Sequence, residues 1–176
     1  MSPCKWLKKR PPAFKNLTGI GVAEFDQLYH ELLPRWNAGE RQRLSRPNRK
    51  RAFGGGHPYR LELEDQLLMT LLWLHLQLNT AALSALFGLD KANVSRNIRR
   101  VWQILPHLNL PLEWPEPPKR GHGRSLQQAG LEYPDLSALA DSSDQANRSS
   151  TNPNPQDPRT LGKQIKCRLI YELSGG

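Results

Sequence analysis

The sequence has few of the residues that build disulfide scaffolds, zinc sites or membrane spans. Its 176 residues include two cysteines, Cys4 and Cys167, which stand near opposite ends and predict a reducing compartment without a disulfide framework. The five histidines are scattered without the spacing of zinc ligands. No apolar run reaches the roughly 18 residues that cross a bilayer, and the N-terminus has no apolar region of a secretory signal. A cytoplasmic protein without a membrane span or a structural zinc ion is therefore expected.

Acidic residues are scarce in the first third of the chain. Residues 1–60 hold 13 Lys or Arg against four acids, whereas residues 61–176 hold 12 of each. The net charge of +9 is thus concentrated at one end. This asymmetry favours a polyanionic partner, with nucleic acid first and an anionic membrane surface second.

Two segments place apolar residues at the three-and-four spacing of a helix face. The first is residues 21–37, in which Pro34 is expected to kink or close the last turn. The second is residues 62–77, where acids crowd the first turn, as the helix dipole favours. Because the stretch QLLMTLLWLHL is apolar nearly all round, this second helix is predicted to lie at the centre of a three-helix core.

The segment Thr80–Leu105, TAALSALFGLDKANVSRNIRRVWQIL, predicts a helix-turn-helix. Thr80 is expected to cap the first helix and Asp90 the second. Gly88 stands between them, where the chain must turn sharply and a left-handed conformation costs glycine little. The apolar positions expected to hold the two helices to the core are Leu83, Phe87, Leu89, Val94, Ile98 and Leu105.

The opposite face of the second helix is polar and basic, and it suits the major groove of double-stranded DNA. The residues predicted to contact DNA there are Lys91, Asn93, Ser95, Arg96, Arg99 and Arg100. Arginine can bridge O6 and N7 of guanine, asparagine can bridge N6 and N7 of adenine, and other cations can hold phosphates. The alternative is an ordinary helical domain in which the same basic face is only solvated.

Further cations cluster between the two long helices. Arg46, Arg49, Lys50 and Arg51 are expected to hold DNA phosphates. Each phosphate neutralised in this way steepens the salt dependence of binding by close to one log unit per log unit of salt. The alternative for this stretch is a solvated linker.

Composition also divides the chain. The predicted segments are a basic arm at 1–20, a helical domain at 21–105, a Pro-rich linker at 106–124, a further segment at 125–148 and a tail at 149–176. The arm is predicted to be flexible, with Phe14 and Leu17 docking onto the next part of the chain. The tail is polar and Pro-rich without hydrophobic period, so it is predicted to be disordered.

The segment at 125–148 predicts a short helix over residues 125–133 and then a short strand from Leu136 to Ala140 that ends at Asp141. An acid at the tip of a strand is one way in which metal-dependent nucleases display a metal ligand. Taken alone, however, an acid on a loop is the commoner explanation of such a run.

Several stretches of the chain occur in a familiar order: FKNLTGI, LELEDQLLMTLLWLHL, TAALSALFGLDKANVSRNIRRV and EWPEPP. Together they resemble the N-terminal half of bacterial insertion-sequence DDE transposases, over about residues 12–148, and EDQLL and LFGLDKANVSR are the most specific pieces. The resemblance implies a helix-turn-helix domain that binds the ends of the insertion element. It also implies a ribonuclease H-like endonuclease domain, in which three carboxylates hold two divalent metal ions, Mg²⁺ in a complete family member.

The resemblance places ALADSSDQ where the family has its first catalytic acid, so Asp141 matches that acid. Asp144 stands where the family usually has Glu, and Ser143 where it has Thr. The Tyr-Ser-Gly and Lys-rich run expected after Arg148 and the other two acids are missing. Two-metal catalysis needs several ligands, so Asp141 is expected to hold metal only if a catalytic half completes the site. The chain alone is expected to bind no cofactor and to be inactive in cutting.

The expected fold is therefore mainly α, a helical bundle with a helix-turn-helix. A Pro-rich linker, an incomplete ribonuclease H-like segment and a largely disordered C-terminus are expected to follow. The expected function is DNA binding by a truncated transposase in the bacterial cytoplasm, associated with the nucleoid. Its partners would be the terminal repeats of the element in double-stranded DNA, and a separately encoded catalytic half or another transposase copy.

Two explanations of the truncation fit the sequence. The chain is either a decayed relic or the first of two overlapping reading frames joined by ribosomal frameshifting. Two alternative functions also stand beside DNA binding by a truncated transposase. One is a regulator that binds the ends of the element and competes with intact transposase. The other is an unrelated helical interaction domain.

Overall fold

An almost wholly apolar helix lies at the centre of the fold. The computed structural model describes residues 2–45, 61–108, 110, 112–119 and 121–141. Its helices are α1 (Pro3–Lys8), α2 (Pro11–Thr18), α3 (Val22–Leu44), α4 (Leu63–His75), α5 (Thr80–Phe87), α6 (Lys91–Trp102), α7 (Leu126–Glu132) and α8 (described residues 134–141). A single 3-10 turn, Leu105–His107, follows α6.

Helix α4 is buried on nearly every side, as its apolar sequence predicts. Residues 65–72 and Leu74 are all buried, because α1, α2, α3, α5 and α6 each contact this helix. The central position of α4 is therefore confirmed. The core around it, however, is built from more helices than the three expected from the sequence.

Residues 2–20 contain two short helices that pack on the core, so the prediction of a flexible arm is wrong. Both α1 and α2 have proline in their first turn, where the missing N–H has no partner within the helix to lose. Cys4, Leu7, Phe14 and Leu17 are fully buried. These apolar residues recur at helical spacing between the lysines, and this spacing gives each helix a core face. The predicted docking of Phe14 and Leu17 is confirmed.

Helix α3 is longer than predicted, since it continues to Leu44 instead of ending near residue 37. Pro34 lies inside it and does not end it. The last buried side chain is Trp36, so the final turns extend beyond the core. A local ion pair between Arg43 and Glu40, with 2.7 Å from Nη2 to Oε2, stabilises this extension.

The connection between α5 and α6 is short and closely held. Gly88 is left-handed, with φ 60° and ψ 34°, as its position predicts. Leu89 is buried, as predicted. The Ser84 hydroxyl donates to the Leu89 carbonyl, and the Leu89 N–H donates to the Ser84 carbonyl at 3.2 Å. These contacts set the angle between the two helices.

Two helix ends differ from the prediction in this region. Asn79, not Thr80, caps α5, because its Oδ1 accepts a hydrogen bond from the Ala82 N–H at 2.8 Å. Helix α6 ends at Trp102. Leu105, predicted on the apolar stripe of α6, is instead buried within the 3-10 turn.

The Pro-rich segment is held to the junction of α4 and α5. The Asn79 N–H donates to the Arg124 carbonyl at 2.9 Å, and the Arg124 N–H donates to the Gln77 carbonyl at 2.7 Å. The Gln77 side chain also donates to the Glu116 carbonyl at 2.9 Å. Between the 3-10 turn and α7, the described residues of the segment have little regular structure, as the prediction of a linker requires. The hydrogen bonds nevertheless show that the segment packs along the domain that precedes it.

Residues 134–141 are helical, so the predicted strand from Leu136 to Ala140 is wrong. Leu136 and Leu139 are both buried. A strand would turn two residues three apart to opposite faces, whereas a helix turns both to the same face. The helix is favoured because it buries both leucines against the core that also contains Ala129 of α7. The predicted helix over residues 125–133 is confirmed as α7, with a capping box at its start.

The described residues contain no β-strand, so the fold is mainly α, as predicted. Residues 142–176, which include the predicted tail, lie outside the described residues. None of the described helices has the length and apolar character needed to cross a membrane.

Candidate nucleic-acid interface

Helix α6 has one apolar face and one basic face. Val94, Ile98 and Val101 are buried, and the helix contacts both α4 and α5. The exposed positions are Lys91, Ser95, Arg96 and Arg99, and the partly exposed ones are Asn93 and Arg100. The six residues predicted to contact DNA are therefore brought together outside the core, on a helix that the core holds in place.

Helical spacing arranges these six residues in two neighbouring rows. One row is Lys91, Ser95 and Arg99, and the other is Asn93, Arg96 and Arg100. Since a helix rises about 1.5 Å per residue, the eight steps of the first row extend about 12 Å along the axis. This length is close to the width of the major groove of B-DNA, also about 12 Å.

Three cations of α6 have no acid partner among the residues that the structure describes. The helix contains no Asp or Glu. Lys91, Arg96 and Arg99 form no ion pair with any residue that the structure describes. Lys8 of α1 is different, because its Nζ lies 2.7 Å from Oδ1 of Asp26. Unpaired cations on one face create a positive potential that attracts a polyanion.

Asp90 occupies the cap position of α6, as predicted, but its side chain makes no capping bond to the backbone. Its Oδ2 instead accepts a hydrogen bond from Nδ2 of Asn93 at 3.4 Å. A bond of this length is weak. The Asn93 amide is therefore available to another partner at small cost.

The second group of predicted phosphate contacts is not described. Arg46, Arg49, Lys50 and Arg51 lie outside the described residues. Among the described residues before this group, Arg41 is an exposed cation in the last turn of α3, and it forms no ion pair with a described residue.

Asp141 is exposed at the last described position of α8. Mg²⁺ usually takes six oxygen ligands and binds through one or two carboxylates plus substrate phosphates or water. Across the described residues, no group of three or more His, Cys, Asp or Glu is placed to hold a metal ion. The described residues therefore do not fit the metal site that the family resemblance implies, and no chemistry is assigned to Asp141.

The structure also shows a groove beside α6 that the sequence did not predict. It has a volume of about 620 Å³ and is bordered by α6, the end of α4, the start of α5 and the loop that includes Lys119. Trp73 and Trp102 lie on its wall. The signal in the sequence was weak, because Trp102 is three residues beyond Arg99 but Lys119 is distant along the chain.

Comparison with protein-family models, with curated proteins and with solved structures finds no match to this chain.

Proposed function

We propose that this chain binds double-stranded DNA through the basic face of α6. The observation that carries the proposal is the set of exposed cations on α6, Lys91, Arg96 and Arg99, which have no acid partner among the described residues. Nucleic acid is the polyanion that best matches such a face on a helix.

In this proposal α5, the Gly88 turn and α6 act as a helix-turn-helix, with α6 entering the major groove. The short bonded connection and the buried Leu89 support it, because a recognition helix must be held at a constant angle to the rest of the domain. Arg96 is proposed to read a base. Lys91 and Arg99 are proposed to hold phosphates on either side.

The proposed biological setting is the DNA-binding part of an insertion-sequence transposase, acting at the ends of the element without cutting DNA itself. The order of motifs from FKNLTGI to EWPEPP supports this setting. Its proposed partners are the terminal repeats of the element and a catalytic half encoded elsewhere.

Salt-dependent binding tests the interface. We expect the full chain to bind a short labelled duplex, with affinity that falls steeply as salt rises. Replacing both Lys91 and Arg99 with Ala should lower the slope of log K against log salt by about 2, roughly 0.9 for each lost phosphate contact. Fluorescence anisotropy across a salt series measures this slope.

Lys15→Ala is the matched control, because Lys15 is an exposed cation on α2 rather than α6. It should leave the slope unchanged. The α6 variant loses two cations and Lys15→Ala loses one. A change in slope from Lys15→Ala half as large as that from the α6 variant would therefore show that total charge, and not the face of α6, binds DNA.

Base reading by Arg96 needs a separate test. A binding selection from randomised duplexes should yield a preferred sequence. We expect Arg96→Ala to cost about 1–3 kcal/mol on that sequence and much less on random DNA. If the two losses are equal, Arg96 holds a phosphate and does not read a base.

A further inference from the structure

The groove beside α6 combines aromatic rings with positive charge. The rings of Trp73 and Trp102 meet edge to face, with centroids 6.1 Å apart and planes at 76°, so they form a corner. Arg99 and Lys119 also line the groove, and they are the only charged residues among its described lining. Both side chains are exposed, and neither forms an ion pair with a described residue.

This chemistry defines the class of ligand. Tryptophan rings stack on flat aromatic groups, and the two cations favour a phosphate nearby. The Ser95 hydroxyl, on the groove wall, can donate or accept a hydrogen bond. The volume of about 620 Å³ lies within the range of roughly 300–1,000 Å³ that is typical of small-ligand sites. A base that carries a phosphate satisfies each of these features.

The loop that carries Lys119 and Gly123 forms one side of the groove, and contacts within the protein hold it in place. Gly123 packs directly on the Asn79 backbone, where an added Cβ would come within 2.8 Å of the Asn79 Cα. Asn79 Nδ2 also donates a weak hydrogen bond to the Gly123 carbonyl at 3.4 Å, which adds to this backbone contact. The parallel bridge between Leu78 and Arg124 extends this contact. The loop that carries Lys119 is therefore attached to the start of α5, and a preformed site loses less entropy on binding.

We propose that this groove binds one unpaired nucleotide, with its base against the Trp73–Trp102 corner and its phosphate between Arg99 and Lys119. The nucleotide comes either from free nucleoside monophosphate or from a DNA strand held by α6. The second source rests on the proposed DNA binding. Because Arg99 borders both surfaces, α6 can lie in the major groove of a duplex while an unpaired nucleotide occupies the adjacent groove of the protein.

The test compares four probes on the full chain: deoxyadenosine monophosphate, a single-stranded oligonucleotide, a fully paired duplex, and the same duplex with one bulged adenine. We expect the bulged duplex to bind on the order of tenfold more tightly than the paired one, since stacking one base on an aromatic ring contributes about this much. Tighter binding of the free monophosphate than of either strand would assign the groove to a free nucleotide. Equal affinity for bulged and paired duplexes, with no binding of the monophosphate or the single strand, would overturn the proposal.

Two variants separate the groove from the face of α6. Lys119→Glu replaces a cation of the groove with an acid, and it should therefore remove the preference for the bulge. Because Lys119 is an exposed loop residue outside α6, the affinity for the paired duplex should stay nearly unchanged. Trp102→Leu should act in the same way and should also abolish quenching of tryptophan fluorescence by the bulged duplex. Arg96→Ala, outside the groove, should weaken both duplexes alike and keep their ratio.

These outcomes distinguish the two proposals. If the full chain binds the monophosphate but neither duplex, DNA binding by α6 is rejected and nucleotide binding by the groove is retained. A bulge preference that persists in both Lys119→Glu and Trp102→Leu would reject the groove and leave DNA binding by α6 intact.

Discussion

Asp65 shows how one buried carboxylate connects two helices. It lies in the first turn of α4, and its Oδ1 accepts hydrogen bonds from the Ser2 hydroxyl at 2.6 Å and from the Cys4 N–H at 2.9 Å. It thereby satisfies an N–H at the start of α1 that has no acceptor within that helix. Burial raises the pKa of Asp65 above its ordinary value of 3.8. The hydrogen bonds from Ser2 and Cys4 lower this pKa, whereas the charges of Glu62 and Glu64 raise it further.

The raised pKa predicts a direction for the pH dependence of stability. The folded chain binds the Asp65 proton more tightly than the unfolded chain. The stability that the protonated carboxyl group adds to the folded state is therefore fully present below pH 3.8. It is lost as the pH rises through the folded pKa. Asp65→Asn keeps an oxygen acceptor without the charge. We expect the free energy of unfolding of the native chain to fall relative to Asp65→Asn as pH rises from below 3.8 to neutral, measured by urea unfolding.

Asp65→Ala provides the comparison, because it removes the acceptor for both Ser2 and Cys4. It should cost about 1–3 kcal/mol at neutral pH. A native chain that gains stability relative to Asp65→Asn as pH rises would contradict the raised pKa.

Cys4 reports on the same contact. Burial raises the pKa of the Cys4 thiol to about 12, although the charge of Lys8 lowers it. In a Cys167→Ser variant, Cys4 is the single thiol. We expect it to resist a thiol reagent in the folded chain at mildly alkaline pH and to react as urea unfolds the protein. Rapid reaction without urea would instead show that α1 detaches readily from α4.

At the scale of elements, the loop before α7 depends on one close approach to the start of α5. An added Cβ at Gly123 would lie 2.8 Å from the Asn79 Cα and 2.9 Å from its nitrogen. Both are backbone atoms that cannot move without disturbing the cap of α5. We expect Gly123→Ala to lower the free energy of unfolding by about 1–3 kcal/mol, as measured by thermal and urea unfolding.

Gly39→Ala is the matched control on α3. An added Cβ there meets nothing within 4 Å, and alanine favours a helix over glycine by about 0.5–1 kcal/mol. Gly39→Ala should therefore leave stability unchanged or raise it slightly. Equal effects of the two changes would show that the contact between Gly123 and Asn79 does not restrain the loop.

At the scale of the whole molecule, the first 20 residues belong to the core. Phe14 lies edge to face on Phe25, with centroids 5.2 Å apart, and both rings are fully buried. Phe14→Ala should cost about 3–5 kcal/mol in the free energy of unfolding. Lys15→Ala, which changes an exposed neighbour on the same helix, should stay within about 0.5 kcal/mol. If both changes are neutral, residues 1–20 form an arm that does not contribute to the fold.

Much of the helical fold could be predicted from local pattern. The central position of α4 follows from a run of apolar residues that no other segment matches. The left-handed Gly88 and the buried Leu89 follow from the chemistry of a short connection. The proposed DNA-contacting residues share one face because helical spacing places them there. Their role in binding DNA stays a prediction.

Other features could not be predicted from local pattern. The helical state of residues 134–141 depends on burying Leu136 and Leu139 together, and the run Leu136–Ala140 alone is also compatible with a strand. The effect of Pro34 could not be predicted from local pattern either. Helix α3 continues through this proline, because buried residues before and after it, Leu32 and Trp36, hold the helix to the core. The many cations of residues 1–20 indicated a flexible arm. The spacing of a few apolar residues instead gives α1 and α2 a face that packs on the core.

The sequence by itself determined that α3, α4, α5 and α6 are helices with a core face, where the chain turns at Gly88, and that α6 carries cations without acids. These properties depend on residues close together along the chain. Only the tertiary structure decided that α1 docks on Asp65, that residues 134–141 are helical, and that Lys119 and Arg99 line one groove together with Trp73 and Trp102. Those outcomes depend on residues far apart in sequence, which local pattern does not connect.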